Sequence, residues 1–182
     1  MKICIIQPKY STDYSMSEEL FAELLRLMDK CDDSMDIIVM PESCDIPCFA
    51  STKSESEASV KKFNKILLEK ASQTAKRCNA LLFVNARFET EKGYRNTTYA
   101  FDRTGKIIGK YFKQHLTPDE VSKMHLDGGY SFEYSEPVTM DIEGVRFAFL
   151  TCYDSYFYEA FSNIARRNID VVIVCSHQRS DT

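Results

Sequence analysis

Asp36-Ile-Ile-Val-Met40, halted by Pro41-Glu42, is the stretch that decides the fold. It is apolar without alternation, mostly β-branched and too short for a helix, which predicts a strand buried on both faces. Ile169-Asp-Val-Val-Ile-Val-Cys175 has the same character, and Lys2 to Gln7 (KICIIQ), stopped by Pro8, predicts another buried strand. Helical patterns separate these runs. Ser15-Met-Ser-Glu18 has capping-box spacing, and Leu20, Phe21, Leu24, Leu25, Leu27 and Met28 then mark one helical face. A second helix is expected from about Glu55 to Arg77, with Phe63, Ile66, Leu67, Ala71, Thr74 and Cys78 on one side, and a third from about Ser155 to Asn168.

Further strands fall between and after the helices. Ala80 to Phe88 reads as a strand, and residues 94–112 read as a hairpin turning at Asp102-Arg-Thr-Gly105. Pro137 to Ile142 and Val145 to Thr151 form a second hairpin on the two-residue turn Glu143-Gly144. Buried strands alternating with amphipathic helices predict a layered α/β fold, and the hairpins make its sheets mixed rather than parallel. No linker-like stretch, repeat or low-complexity tract divides the chain, so one domain over residues 1–182 is expected.

Composition removes several classes of function. The chain has 182 residues, with Lys plus Arg 23 against Asp plus Glu 27 and a formal charge of -4. An acidic balance argues against a nucleic-acid partner. No apolar run approaches the roughly 20 residues that cross a bilayer. MKICIIQPKYS is too short in its apolar part for a secretory leader, so secretion is not expected and a cytoplasmic location is. Seven cysteines at irregular spacing suit a reducing compartment better than a disulfide framework. Cys44 and Cys48 form the only tight pair, and with no second pair and few histidines a metal site is not expected there.

In α/β folds, chemistry gathers where strands end. Three positions qualify: Glu42 after the DIIVM strand, Lys113 after Ile107 to Phe112, and Cys152 where the strand ending in Thr151 turns toward a helix. A nucleophile at such a turn is accessible, with backbone N–H groups behind it. Taken singly, each has an ordinary reading: a capping glutamate, a solvated lysine, a small buried thiol.

The surrounding segments add to this. Ile38-Val-Met-Pro-Glu42, Gly109-Lys-Tyr-Phe-Lys-Gln-His-Leu116 and Phe149-Leu-Thr-Cys-Tyr-Asp154 occur in that order, preceded by Ile5-Ile-Gln-Pro-Lys9 and by Asn96-Thr-Thr-Tyr-Ala-Phe-Asp-Arg-Thr-Gly-Lys106. Together they resemble the signature segments of the nitrilase superfamily of carbon–nitrogen hydrolases, over nearly the whole chain. The resemblance implies an αββα sandwich with mixed sheets. It implies that Cys152 is a nucleophile, Glu42 its base and Lys113 an oxyanion stabiliser, helped by the backbone N–H of Tyr153. Glu120, on Thr117-Pro-Asp-Glu120, matches the second glutamate of many members, and its ordinary reading is a helix-capping residue. Asp154 is expected to act through structural hydrogen bonds.

Further expectations follow from the same likeness. The substrate would be a small amide, carbamoyl compound or nitrile, with amides favoured, and no metal or organic cofactor would be needed. A homodimer would form through the helix carrying Tyr156, Phe157, Tyr158, Phe161 and Ile164. Family members continue beyond the strand matching IDVVIVC, so the chain is expected to be short at its C-terminus and to lack part of the pocket wall. Two rival functions stay open: a catalytically silent binding or assembly module of the same fold, and a thiol hydrolase pairing Cys152 with a histidine. His115 and His177 are candidates for that pairing or for lining the pocket, and Arg179 for binding an anion.

Overall fold

The structure is a computed structural model of the whole chain, and residues 1–128 and 139–177 are described. Pro137 and Arg179 lie outside the described residues.

Two sheets face each other. The first runs β1 (Ile3–Ile5), β2 (Ile37–Val39), β3 (Leu81–Thr90), β4 (Gly93–Phe101) and β5 (Ile107–Phe112) in spatial as well as chain order. β1, β2 and β3 are parallel, and β4 and β5 add antiparallel. The second sheet contains β6 (Thr139–Ile142), β7 (Val145–Thr151) and β8 (Val171–Cys175), with β6 antiparallel and β8 parallel to β7. α1 (Ser17–Asp29) and α2 (Lys53–Cys78) cover the first sheet, and α4 (Tyr158–Ala165) covers the second. A short α3 (Pro118–Ser122) follows β5. The order of layers is therefore α, β, β, α, as expected.

Strand periodicity sorts the core. On β3, Leu82, Val84 and Ala86 turn toward the helices and pack with Phe21, Leu24, Phe63 and Leu67. Leu81 and Phe83 turn the other way, into the layer shared with Tyr111, Phe147, Phe149 and Ile173. Phe83 packs against Phe147 and Phe149 with ring centroids 5.2 and 5.5 Å apart. On β7 the same alternation sends Ala148 and Leu150 to Ala160 and Ile164 of α4.

Several local expectations need correction. Ser15 does not cap α1: its N–H and hydroxyl both go to Asp13 Oδ1, which starts a 3-10 turn, and α1 begins two residues later. The box forms instead at Thr52 and Glu55, where it opens α2. The helix expected from Ser155 is delayed to Tyr158, because Cys152–Tyr156 is a 3-10 turn gathered around the buried Asp154. β1 and β8 are not buried on both faces. Ile5 is 74% exposed and Val174 41%, so an apolar run reports strand character without reporting that both faces are covered. Among the described residues, no helix is long and apolar enough to cross a membrane.

Candidate active site

Glu42, Lys113 and Cys152 converge on one cavity at the carboxyl ends of β2, β5 and β7. Residues lining its volume of about 240 Å³ also include Arg87, Glu120 and His177.

Register builds the floor of this cavity. On the face where Leu81 and Phe83 meet the second sheet, β3 continues with Asn85 and Arg87. Opposite them on β4 stand Thr98 and Asn96. The Lys113 N–H donates to the Asn96 carbonyl at 2.9 Å, which sets Lys113 beside Asn96 just past the end of β5. Arg87, Asn96 and Lys113 thus form a cross-strand row in which polar and charged groups replace the aromatic core.

The lysine is held from both sides. Its Nζ lies 2.8 Å from Glu42 Oε1 and 2.8 Å from Glu120 Oε2, and its side chain is 1% exposed. Asn96 Nδ2 donates to Glu42 Oε1 at 2.8 Å and to Glu120 Oε1 at 2.9 Å, while its Oδ1 accepts from Asn85 Nδ2 at 2.8 Å. Burial works against the ammonium, but the Glu42 and Glu120 charges outweigh it and hold the Lys113 pKa above the ordinary lysine value. Two of the three ammonium protons are engaged by carboxylates, which leaves one for a substrate oxygen. Glu42 Oε2 carries no hydrogen bond among the described residues, which leaves it available to accept a proton.

Glu120 caps a helix and meets Lys113 at once. It closes a capping box with Thr117 at the start of α3, and the oxygen that accepts from the Thr117 N–H also accepts from Lys113. The helix cap thereby fixes the carboxylate that fixes the lysine.

Cys152 sits at a sharp turn, with φ of +44° in the left-handed region that side chains other than glycine adopt only at a cost. Asp154 holds the turn. Its Oδ2 accepts from the Thr151 N–H at 2.9 Å and the Tyr111 hydroxyl at 2.8 Å. Its Oδ1 accepts from the Gln114 and His115 N–H groups at 3.1 and 2.7 Å. One buried carboxylate therefore ties the end of β7 to the segment carrying Lys113, the structural role expected of Asp154. The Ser155 hydroxyl donates to the Cys152 carbonyl at 2.6 Å, bracing the turn further. Burial pushes the Cys152 thiol above its ordinary value, the Glu42 charge adds to this, and Lys113 only partly opposes it. The resting thiol is therefore protonated near neutral pH, and a base is needed to activate it.

Neither imidazole partners the sulfur among the described contacts. Cys152 Sγ meets the His177 backbone carbonyl at 3.8 Å, and the His177 ring packs edge-on against Tyr10. The His115 ring stacks on Phe157, and its Nδ1 lies 3.0 Å from Asp154 Oδ1. His177 lines the cavity. Tyr153 follows Cys152 on the 3-10 turn, with its ring against Tyr156 and Phe157. Cys44 is buried and donates its thiol to the Pro41 carbonyl, and all seven cysteines, Cys152 included, are free of disulfides. Sequence reasoning missed the roles of Asn85, Arg87 and Asn96. The available signal was the alternation on β3, which carries Asn85 and Arg87 on the same face as Phe83.

Comparison with known proteins shows the family and the fold. The family model for carbon–nitrogen hydrolases matches residues 2–182. A curated relative described as a hydrolase in the agr operon of Staphylococcus lugdunensis is 36% identical over 72 residues, 39% of this chain and 29% of its own length. The amidase of Nesterenkonia sp. AN1, in a variant with acrylamide added to its active-site cysteine, superposes with a TM-score of 0.71 at 18% identity, covering 100% of this chain and 68% of the other. A carbon–nitrogen hydrolase of Helicobacter pylori G27 gives a TM-score of 0.71 at 19% identity, covering 99% and 62%. The matched stretch is thus under a third of the curated relative.

Proposed function

The chain belongs to the carbon–nitrogen hydrolase family, and from that premise we propose that it hydrolyses the C–N bond of small amides or carbamoyl compounds through a thioester on Cys152. The observation that carries this reading is the Lys113 ammonium, clamped between Glu42 and Glu120 in the cavity that Cys152 lines.

Each group has a task that its surroundings suit. The free Oε2 of Glu42 takes the thiol proton as Sγ attacks the carbonyl carbon. The oxygen of that carbonyl becomes an oxyanion, met by the remaining Lys113 N–H and by the backbone N–H of Tyr153. Glu42 returns the proton to the nitrogen, ammonia or an amine leaves, and a thioester remains. A water then gives its proton to Glu42 and adds to the thioester, which releases the acid and restores the thiol. Glu120 and Asn96 are positioning residues, since they act on the substrate only through Lys113 and Glu42.

The same reading pairs two copies through the surface around α4, where Tyr156, Tyr158 and Phe161 are exposed. Sedimentation at the dimer mass is expected, and a single monomeric species overturns that pairing.

The test is turnover of short aliphatic amides by the chain and by its Cys152→Ala variant. Ammonia release that falls by at least about 10⁴-fold in the variant, with the melting temperature retained, is the expected result. Equal turnover by the two proteins excludes Cys152 as the nucleophile.

A further inference from the structure

Among the described residues Arg87 is the other cation lining the cavity, and its situation is opposite to that of Lys113. It is 6% exposed, yet its Nε and Nη1 are buried without a hydrogen-bond partner among the described residues. Its backbone, by contrast, is fixed from every side. The N–H donates to Asp45 Oδ2 at 2.8 Å, and the carbonyl accepts from Asn64 Nδ2 at 2.8 Å and the Tyr99 hydroxyl at 3.1 Å. The strand is thus held so that this side chain stands next to Asn96, in the row that ends at Lys113.

A guanidinium cannot shed its proton to escape burial, and leaving its donors unsatisfied costs free energy. Glu120 and the Oε1 of Glu42 are already committed to other donors. Both Glu120 oxygens are taken, by Asn96 on one side and by Thr117 and Lys113 on the other, although Glu120 feels the Arg87 charge. Glu42 Oε1 is bound by Lys113 and Asn96. Such a fork, placed in the same cavity as the reacting sulfur, matches the geometry of a carboxylate.

We infer that Arg87 receives a carboxylate at the end of the substrate remote from Cys152, so that the preferred substrates are amides of acidic compounds. This rests on the hydrolase reading above and adds to it the class of substrate. Arg87 is then a specificity-determining residue. The anion lends its charge to the unsatisfied donors, and the bound end fixes how far the amide reaches toward Cys152.

The experiment measures binding and turnover separately. In Cys152→Ala protein, calorimetry compares the monoamides of malonate, succinate and glutarate with neutral butyramide. The best of the acidic ligands should bind roughly thirtyfold more tightly than butyramide, the range expected for hydrogen bonds to a charged group. Adding Arg87→Gln should bring the two to within about threefold of each other, and Arg87→Lys should keep part of the preference. Equal binding of acidic and neutral ligands with Arg87 present, or no binding of either, overturns the inference without need of the variants. So does a preference that survives Arg87→Gln. Turnover by the parent chain decides the underlying reading independently. Hydrolysis of butyramide without carboxylate preference defeats the Arg87 assignment alone. Arg87-dependent carboxylate binding without hydrolysis of any of these amides defeats the hydrolase reading alone.

Discussion

Along β3, the side chains facing the second sheet change from Leu81 and Phe83 to Asn85 and Arg87, and the layer between the sheets changes with them. One half holds Phe83, Phe147, Phe149 and Ile173, whose contacts are non-directional. The other holds Glu42, Lys113, Asn96 and Glu120, joined by hydrogen bonds of 2.8–2.9 Å. The two halves are built by neighbouring residues of the same strands. What separates them is how they fail. Trimming a ring loses contact area in proportion to what is removed. Removing one member of the charged network leaves its partners buried without compensation.

Lys113→Met is the sharpest way to expose that difference. It strips the shared cation from two buried carboxylates, so both stability and turnover should fall: about 3–5 kcal/mol for a broken buried ion pair, and about 10²–10³ in rate for a lost oxyanion donor. Urea titration and initial rates measure the two. Adding Glu120→Gln should recover part of the stability and none of the rate. Recovery of both would mean that Lys113 serves packing alone.

Phe83→Ala tests the apolar half. Its ring touches both Phe147 and Phe149, so the expected loss is about 3–5 kcal/mol of stability, measured by urea titration. Glu42, Lys113 and Cys152 keep their own hydrogen bonds, so kcat at a temperature where the variant is folded should stay within a few-fold of the parent. A collapse of kcat in fully folded protein would show that the two halves are not separable.

The smallest effect is the pH dependence of the network. Burial raises the Glu120 carboxyl, but Lys113 and Arg87 more than offset it and leave its pKa below the ordinary 4.5. A depressed carboxyl contributes stability that is complete above its unfolded value and lost as pH falls through the folded one. For Lys113 burial lowers the pKa, and the two carboxylates more than offset it, leaving it above the ordinary 10.5. Its contribution is complete below that value and is lost as pH rises through the folded one. Stability from this pair should therefore be full between about 4.5 and 10.5 and decline on either side. Glu120→Gln should flatten the acid limb of a stability profile, and an unchanged acid limb would remove Glu120 from the account.

The same contrast explains how much could be read from the sequence. Glu42, Lys113 and Cys152 stand out in the sequence because each ends a strand within an ordered set of motifs, and the fold gathers them on one cavity. The layered fold was legible because buried strands and amphipathic helices alternate. Arg87 was not, because Ala80 to Phe88 reads as one apolar strand until the register shows which residues share a face with Asn96. The contact of Glu120 with Lys113 was hidden for a related reason: Thr117-Pro-Asp-Glu120 shows a capping pattern, and only the fold brings the same carboxylate against Lys113. Ile3, Ile5, Val172 and Val174 misled in the other direction, since apolar runs describe strands and say nothing about what lies beside them.

The most direct measurement compares two thiols in one protein. Cys4 and Cys152 are both partly exposed, but only Cys152 lines the cavity with Glu42 and Lys113. Reaction with iodoacetamide, followed by peptide mass mapping over time, reads both sulfurs together. Carbamidomethylation of Cys152 well ahead of Cys4, with the lead abolished by Glu42→Gln, is the predicted result. Equal rates at the two cysteines, or a Cys152 rate unaffected by Glu42→Gln, would contradict the claim that the polar half of this layer is a thiol-activating site.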